Sequence, residues 1–334
     1  MHLISKINII NFKSISGAFF TFSKYTPLVG CNNAGKTNIL KAIQWAVKKS
    51  SLIETDFFDK TKEVVVEATI SGVTEHVLVG VDETHRNRIK DYVLNETITI
   101  KRTQFKPNDR VANIKLQIFN SDGTWVNNPA GIDAAISALF PEPIFIGAME
   151  NSLDDLSKNT ASSAIGNLIK EITEMVSAKY ATEVESALIK VDQKLGADSR
   201  FRDEGLVEID NQIQNEVDKF FNGISAKIHI PALKFTDFLK GGTIKLKDTS
   251  LEGASSQDAS SFGHGTQRTI QIALIKCLAD IKKSGDDGSQ GRTTLLLIDE
   301  PELYLHPQAI ELVRHSLSAL SSEGYQVVFT THSP

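Results

Sequence analysis

The stretch "LVGCNNAGKTNIL", residues 28–40, contains the spacing G-x-x-x-x-G-K-T. Val29 ends an apolar run, Gly30 and Gly35 permit backbone conformations that a Cβ would forbid, and apolar residues recur at helical spacing from Ile39 onward. This order of a strand, a tight loop and the start of a helix forms a phosphate-sized pocket. Backbone N–H groups of the loop and the positive end of the helix point into it. The alternative is a chance glycine-rich turn.

The spacing also assigns chemistry to individual side chains of this loop. Lys36 is predicted to reach the β- and γ-phosphates of a nucleotide, and Thr37 to place its hydroxyl on Mg²⁺. The candidate nucleotide-binding residues of the loop are Gly30, Asn32, Asn33, Ala34, Gly35, Lys36, Thr37 and Asn38.

The composition is that of an ordinary globular protein. The chain has 334 residues, of which 41% are apolar and 23% charged, enough for one large domain with an insertion or for two domains. With a net charge of −5 and a pI near 5.9, the chain lacks the overall basic charge typical of nucleic-acid-binding proteins. Any DNA contact must therefore come from local basic patches.

Cysteine usage and hydropathy bear on location. Cys31 and Cys277 form no metal-binding spacing, which suits a reducing cytosol. No signal peptide is evident, and no apolar run approaches the length that spans a membrane. We expect a cytoplasmic protein without a membrane partner.

The apolar pattern changes along the chain. Alternating or clustered apolar residues predict strands at 3–13 and 17–30, and the phosphate loop follows the second of them. An antiparallel meander is predicted from residues 63–72, 76–82, 96–105 and 113–120, and further strands from 141–151, 226–235 and 243–248. Residues 153–221 have charged, helical periodicity, which predicts an inserted helical arm or, alternatively, helices that pack on the core.

A second group of chemical residues lies in "TTLLLIDEPELYLHP", residues 293–307. A short, nearly continuous apolar strand ends there in Asp299 and Glu300. Ligands bind at strand ends in α/β sheets, so Asp299 is predicted to hold Mg²⁺, through water, and Glu300 to orient the attacking water. The alternative is a strand followed by a helix whose first turn these acids cap.

Between these two groups, "SSFGHGTQRTIQIALIKCLAD", residues 260–280, is a glycine-rich turn that leads into an amphipathic helix. Such a helix N-terminus is a ready anion site, yet the loop around Lys36 already holds the phosphates of its own chain. The turn is therefore expected to bind a group other than the phosphates held by the Lys36 loop of its own chain.

The motifs resemble, in their order, those of ABC-type ATPases. "INIINFKS", "GCNNAGKTN", "SFGHGTQR", "LLLIDEPELYLHP" and "THS" are similar in particular to the SMC/RecF-like branch and to its OLD (overcoming lysogenization defect) nucleases. The resemblance implies that a signature turn contacts the γ-phosphate held by the opposite protomer, which gives an ATP-sandwich dimer. It assigns Ser261, Gly263, Gly265 and Gln267 to that turn, and His332 to the γ-phosphate side of the catalytic site.

The resemblance also implies an architecture and a function. The fold class is α/β, an ABC-type P-loop ATPase with a mixed sheet, an antiparallel β lobe and an inserted helical dimerisation segment. We expect ATPase parts at 1–152 and 222–334, the insert at 153–221, and a Toprim nuclease domain beyond residue 334. The chain itself is then expected to bind ATP and Mg²⁺ but not to cut DNA.

The functional expectation is an ATPase of an OLD-like DNA endonuclease in anti-phage defence. Its partners would be a second copy or a higher homo-oligomer, through the ATP sandwich and the helical insert, together with DNA and a partner protein of a defence system. A repair-type ATPase that clamps DNA without cutting is the alternative. A transporter motor is disfavoured because "NFKS" and "EPELYLHP" look SMC-like.

Two departures from the family pattern leave questions open. Relatives carry a glutamine where the strand at 144–149 leaves the core, and Glu150, Asn151 or the distant Gln104 could substitute for it here. His264 replaces a small residue of the signature turn. A set of basic residues could form an edge toward DNA or simply a solvated face: Arg86, Arg88, Lys90, Lys101, Arg102 and Arg110.

Overall fold

The structure is a computed structural model, and its contacts divide the chain into two compact units. One unit comprises Met1–Ile165 with Lys245–Pro334, and the other comprises Gly166–Ile244. The structure describes residues 1–140, 143–148, 183, 186–220, 224–230, 245–247, 249, 255–258, 261–284 and 293–332. The predicted insert, 153–221, stays a prediction, since residues 153–182 lie outside this described part.

The first unit contains an antiparallel and a parallel sheet. The antiparallel sheet has the order β2-β1-β4-β5-β6-β7 and the parallel sheet the order β3-β12-β11-β8, while β9 and β10 pair with each other. The strands are β1 (Leu3–Phe12), β2 (Ile15–Thr21), β3 (Tyr25–Val29), β4 (Val64–Ser71), β5 (Thr97–Gln104), β6 (Lys115–Phe119), β7 (Trp125–Asn127), β8 (Ile144–Ile146), β9 (Lys245–Leu246), β10 (Gln257–Asp258), β11 (Thr294–Ile298) and β12 (Tyr325–Thr331).

Helices flank these sheets in the first unit, and one described helix belongs to the second. They are α1 (Lys36–Val47), α2 (Glu75–Val79), α3 (Glu83–Ile89), α4 (Ile132–Leu139), α5 (Glu204–Asp218), α6 (His264–Ser284) and α7 (Pro307–Ser322). Of these, α5 lies in the second unit, where residues 186–195 are helical as well.

Two strand predictions are wrong. Residues 76–82 were predicted as part of the meander, but α2 occupies Glu75–Val79. Val77, Leu78 and Val81 are buried, a three-to-four-residue spacing that suits one side of a helix better than a pleat. The strand predicted at 226–235 is absent from its described part, because residues 224–230 have no regular secondary structure.

The parallel strand β11 is buried on both faces, which explains its nearly continuous apolar sequence. Leu295 and Leu297 join the larger core together with α1 and the antiparallel sheet. Leu296 and Ile298 face the opposite way, into a second core with α6 and α7. A strand that contributes to two cores has little freedom, so the residues that follow Ile298 start from a fixed position.

One buried side chain ties the two sheets together. Gln326 on β12 accepts a hydrogen bond from the backbone N–H of Ile4 on β1 (2.9 Å) and donates one to the Ile4 carbonyl (2.7 Å). Its amide, which is fully buried, thus satisfies the backbone of Ile4, a residue that the pairing of β1 with β2 does not reach.

His2 anchors the start of β1 in the larger core. Its ring is fully buried, packs edge-on against Phe140 at 4.8 Å between ring centroids, and donates from Nε2 to the Leu139 carbonyl (2.7 Å). Its Nδ1 has no hydrogen-bond partner among the described residues. Burial, opposed by the Leu139 hydrogen bond, lowers the pKa of His2 to about 4.

This burial predicts acid sensitivity. A histidine with a folded pKa near 4 and an unfolded pKa near 6.5 stabilises the fold fully above pH 6.5 and loses that contribution as the pH falls toward 4. Between pH 7 and pH 5 the free energy of unfolding of wild type should fall by about 2 kcal/mol more than that of His2→Gln. Urea unfolding at both pH values measures this difference. His76→Gln, at an exposed position, should match wild type; an equal pH response of His2→Gln and wild type would contradict the prediction.

Candidate functional site

The parallel sheet brings the predicted site residues to one edge. Its strands β3, β12, β11 and β8 all run in the same direction, with Val29 beside Thr331 and Ile298 beside both Phe329 and Ile146. Their carboxyl ends therefore lie side by side, and the segments that leave β3, β11 and β12 carry the predicted loop, acids and histidine. This is the position where α/β sheets bind ligands.

The loop after β3 adopts the conformation that its glycine predicts. Gly35 has a φ of 87° and directly precedes α1, whose first residue is Lys36. A Cβ on Gly35 would also lie 3.0 Å from the Ser14 hydroxyl, which accepts a hydrogen bond from the Asn38 side chain (2.7 Å). Ser14, from the "NFKS" stretch, thus packs on the outside of the loop and supports its shape.

Lys36 is buried within this loop. Its ammonium donates to the carbonyls of Gly30 (2.8 Å) and Cys31 (3.0 Å) and lies 3.2 Å from His332 Nδ1. Among the described residues no carboxylate pairs with it. A cation that is only 8% exposed and held by neutral groups is matched to an anion that arrives from outside.

Asp299 is held by two threonines. The Thr37 hydroxyl donates to its carboxylate oxygens at 2.9 and 3.0 Å, and the Thr330 hydroxyl, from β12, donates to Oδ1 at 2.6 Å. Thr330 also accepts the backbone N–H of Glu300 (2.8 Å). The hydroxyl and carboxylate predicted as magnesium ligands are therefore adjacent, although 262 residues separate them in sequence.

Glu300 and His332 contact each other directly. His332 Nε2 lies 2.6 Å from Glu300 Oε1, while Nδ1 lies 3.2 Å from both Lys36 Nζ and the Gly30 carbonyl. A proton on Nε2, donated to the carboxylate, leaves Nδ1 free to accept from the lysine. Glu302 fixes the backbone of the same loop, since its Oε1 accepts from the His332 N–H (3.0 Å).

The signature turn lies at the start of α6 and packs on the segment after Glu300. A Cβ on Gly265 would meet the Tyr304 carbonyl at 3.1 Å, and the His264 ring lies 5.4 Å from that of Tyr304. Gln267 is buried and donates to the Phe262 carbonyl (2.7 Å). Ser261 and Gly263 are exposed.

The donors present fit a magnesium nucleotide. A threonine hydroxyl and an aspartate carboxylate are hard oxygen ligands of the kind that Mg²⁺ prefers. The buried ammonium of Lys36 and the N–H groups of a glycine-rich loop at a helix N-terminus suit phosphates. Within the described residues, no group of three or more His, Cys, Asp and Glu side chains forms a further metal site.

Other predicted residues lie elsewhere or outside the described part. Glu150 and Asn151 fall on residues that are not described. Gln104 is buried and uses its amide on the backbone of Leu52 (2.9 and 2.8 Å) and Lys106 (2.9 Å), which leaves it no role toward phosphate.

The set of basic residues that could face DNA loses one member. Arg102 is fully buried, donates to Asp133 (2.8 Å) and to the Ala46 carbonyl (3.2 Å), and is therefore structural. Burial lowers the pKa of Arg102 and the Asp133 carboxylate opposes that shift. Lys101 instead lies 3.8 Å from the ring centroid of Trp125.

Comparisons with known proteins show the family of the chain. The family described as AAA ATPase domain matches residues 138–334, more than half of the chain. The chain belongs to the AAA ATPase domain family. The match spans the signature turn, the acids after β11 and His332, whereas the phosphate loop precedes it.

Two curated relatives and a solved structure refine the assignment. The "Old nuclease" of Escherichia phage P2 is 38% identical over 99% of this chain and 56% of its own length. The "OLD nuclease" of Thermus scotoductus is 21% identical over 99% of this chain and 59% of its own length. The chain thus spans about half the length of the curated relatives it matches, and the predicted resemblance to the OLD family is confirmed.

The fold of this AAA ATPase domain matches that of an SMC head. The crystal structure of the SmcHead bound to the C-winged helix domain of ScpA covers 99% of this chain and 90% of its own, with a TM-score of 0.55 at 16% identity. The predicted fold class, α/β of the ABC ATPase type with an antiparallel lobe, is confirmed, while the inserted dimerisation segment stays a prediction. In the described part of the chain, no helix is long and apolar enough to cross a membrane.

Proposed function

We propose that this chain binds ATP with Mg²⁺ and hydrolyses it, as the ATPase part of an OLD-like protein. One observation carries the proposal: Lys36, Thr37, Asp299, Glu300 and His332, from three distant segments, form one connected network at the edge of the parallel sheet. A network of a cation, a hydroxyl, two carboxylates and an imidazole serves phosphoryl transfer, which relies on positioning and electrostatics.

Each residue of this network has a role that its contacts support. Lys36 and the N–H groups of residues 30–37 would bind phosphate oxygens, with the ammonium leaving the loop carbonyls that it now contacts. Thr37 and Asp299 would hold Mg²⁺, which when bound neutralises charge on the phosphates.

Glu300 would orient a water molecule and accept its proton, because its carboxylate is the more exposed of the two acids in the network. His332 would hold the Glu300 carboxylate through Nε2. The same histidine would lie on the γ-phosphate side of the site. The contact of 2.6 Å between His332 Nε2 and Glu300 Oε1 keeps the two side chains together in the site.

The signature turn supports a dimer. Ser261 and Gly263 are exposed on the surface at the start of α6, and Gly263 has open space where a Cβ would stand. We propose that this turn completes the site of a second copy in an ATP sandwich, and that the helical insert at 153–221 adds a constitutive contact or forms a higher oligomer.

The nuclease belongs to sequence outside this chain, in this proposal. Both relatives are named nucleases and are nearly twice as long as the part that this chain spans. DNA as substrate, control of cutting by the ATP state, a Toprim domain, a partner protein and a role in anti-phage defence are all parts of the same proposal. A repair-type ATPase that clamps DNA without cutting is the alternative.

Incubation of the purified chain with ATP, Mg²⁺ and supercoiled plasmid tests both parts. We expect phosphate release and an intact plasmid, because two-metal cleavage needs several carboxylates around ions roughly 4 Å apart. Absence of phosphate release, with folding confirmed by circular dichroism, would contradict the ATPase. Nicking that an acid substitution outside Asp299 and Glu300 abolishes would contradict the assignment of the nuclease to other sequence.

A further inference from the structure

Arg268 connects the signature turn to the acids after β11. It follows Gln267 on α6 and is 1% exposed. Its Nη1 donates to the Gly147 carbonyl at the end of β8 (3.0 Å). Its Nη2 donates to the carbonyls of Asp299 (2.5 Å) and Glu300 (3.0 Å). One guanidinium thus links α6 to the ends of two parallel strands, β8 and β11.

The backbone that Arg268 holds is an unusual one. Glu300 has a φ of 47°, in the left-handed region that non-glycine residues rarely adopt. Such a conformation is strained in a residue with a side chain and persists only where neighbouring groups fix it. Three hydrogen bonds do so here: Thr330 accepts the Glu300 N–H, and the Glu300 carbonyl accepts from Arg268 (3.0 Å) and from the backbone N–H of Leu303 (3.1 Å).

The direction of the Glu300 carboxylate depends on this backbone. Because Cα geometry sets where a side chain leaves the chain, rotation of the Glu300 peptide groups would move Oε1 away from His332 Nε2, which now lies 2.6 Å from it. The contacts above reach the Glu300 main chain, and Nη1 of Arg268 also donates to Gln271 Oε1 (3.3 Å) on the same helix.

The start of α6 couples this hold to the signature turn. Gly265 packs against the Tyr304 carbonyl, four residues after Glu300, and Arg268 lies less than one helical turn further along the same helix. A displacement of the turn therefore carries the guanidinium with it. We propose that Arg268 is a positioning residue that sets the Glu300 backbone and transmits the position of the signature turn to that carboxylate. The inference rests on the proposed ATPase function.

Arg268→Lys tests the inference. It keeps the charge, but one ammonium cannot span the carbonyls on both β8 and β11. We expect kcat for ATP hydrolysis to fall at least about tenfold, while the Kd for ATP stays within about twofold of wild type. Arg314→Lys, on the exposed face of α7, is the matched control and should leave both unchanged. Normal turnover, or parallel losses of ATP binding and turnover, would overturn the inference.

A double-mutant cycle separates positioning from a general structural defect. If Arg268 acts through Glu300, Arg268→Lys should slow Glu300→Gln no further, whereas an independent defect would multiply the two losses. Should the lysine variant fail to fold, Arg268→Gln, which buries no charge and reaches only one of the strand ends, replaces it in the same assays. A wild-type chain without ATPase activity refutes the proposed function; an active wild type with a slow Glu300→Gln and a normal Arg268 variant refutes this inference alone.

Discussion

Glu300→Gln should bind ATP as tightly as wild type and hydrolyse it at least about tenfold more slowly. The amide has the size and shape of the carboxylate, so the Thr330 and Arg268 contacts to the backbone persist, but it cannot accept a proton from water. Steady-state turnover and equilibrium ATP binding together measure the effect. Glu311→Gln, an exposed acid on α7, serves as the matched control and should behave as wild type.

Lys36→Ala should differ from Glu300→Gln in that it lowers the affinity for ATP. Its ammonium is the buried cation of the phosphate loop, so its loss should weaken ATP binding itself. Lys41→Ala, at an exposed position of the same helix, provides the control. Wild-type turnover in Glu300→Gln would remove Glu300 from the mechanism, whatever the lysine variant does.

Mixing two inactive variants should restore activity. Gly263→Asp places a carboxylate on the exposed signature turn, where the structure leaves open space for it, so the fold of the single chain should persist. In an ATP sandwich this carboxylate would repel the phosphates held by the partner copy. Gly263→Asp alone and Lys36→Ala alone should therefore both be inactive.

A mixed dimer of these variants keeps one composite site in which both the phosphate loop and the signature turn are intact. Random pairing of equal amounts should give about one quarter of wild-type turnover. Gly263→Ala, small and neutral, is the control and should retain activity by itself. Full activity of unmixed Gly263→Asp would mean that each protomer hydrolyses ATP unaided.

Local sequence was sufficient for the motifs and for the strands that carry them. The phosphate loop, the strand that ends at Asp299 and the helix after the signature turn follow from glycine spacing and apolar runs within about 15 residues. These signals also led to the correct family. The roles of Glu300, His332 and the signature residues remain predictions that the variants above test.

Predictions from the sequence failed where tertiary burial, rather than local preference, determines the secondary structure or the exposure of a residue. Residues 76–82 alternate weakly and contain β-branched residues, yet the first four of them lie in α2, where the larger core accepts Val77 and Leu78. Arg102 looked like part of a basic edge, but it occupies an inward-facing position of β5, between buried Ile100 and Gln104. The inward face is set by the register with β4 and β6, which composition does not reveal.

The sequence by itself determined which groups the candidate site contains: a lysine and a threonine after one strand, two acids after another and a histidine after a third. Only the tertiary structure determined how these groups are held. Thr330, Glu302 and Arg268 belong to no spacing that predicts their contacts with Asp299, His332 and Glu300, since each acts across 30 to 32 residues. The physical reason is that parallel strands distant in sequence end at one edge of a sheet, so their side chains meet only after the chain has folded.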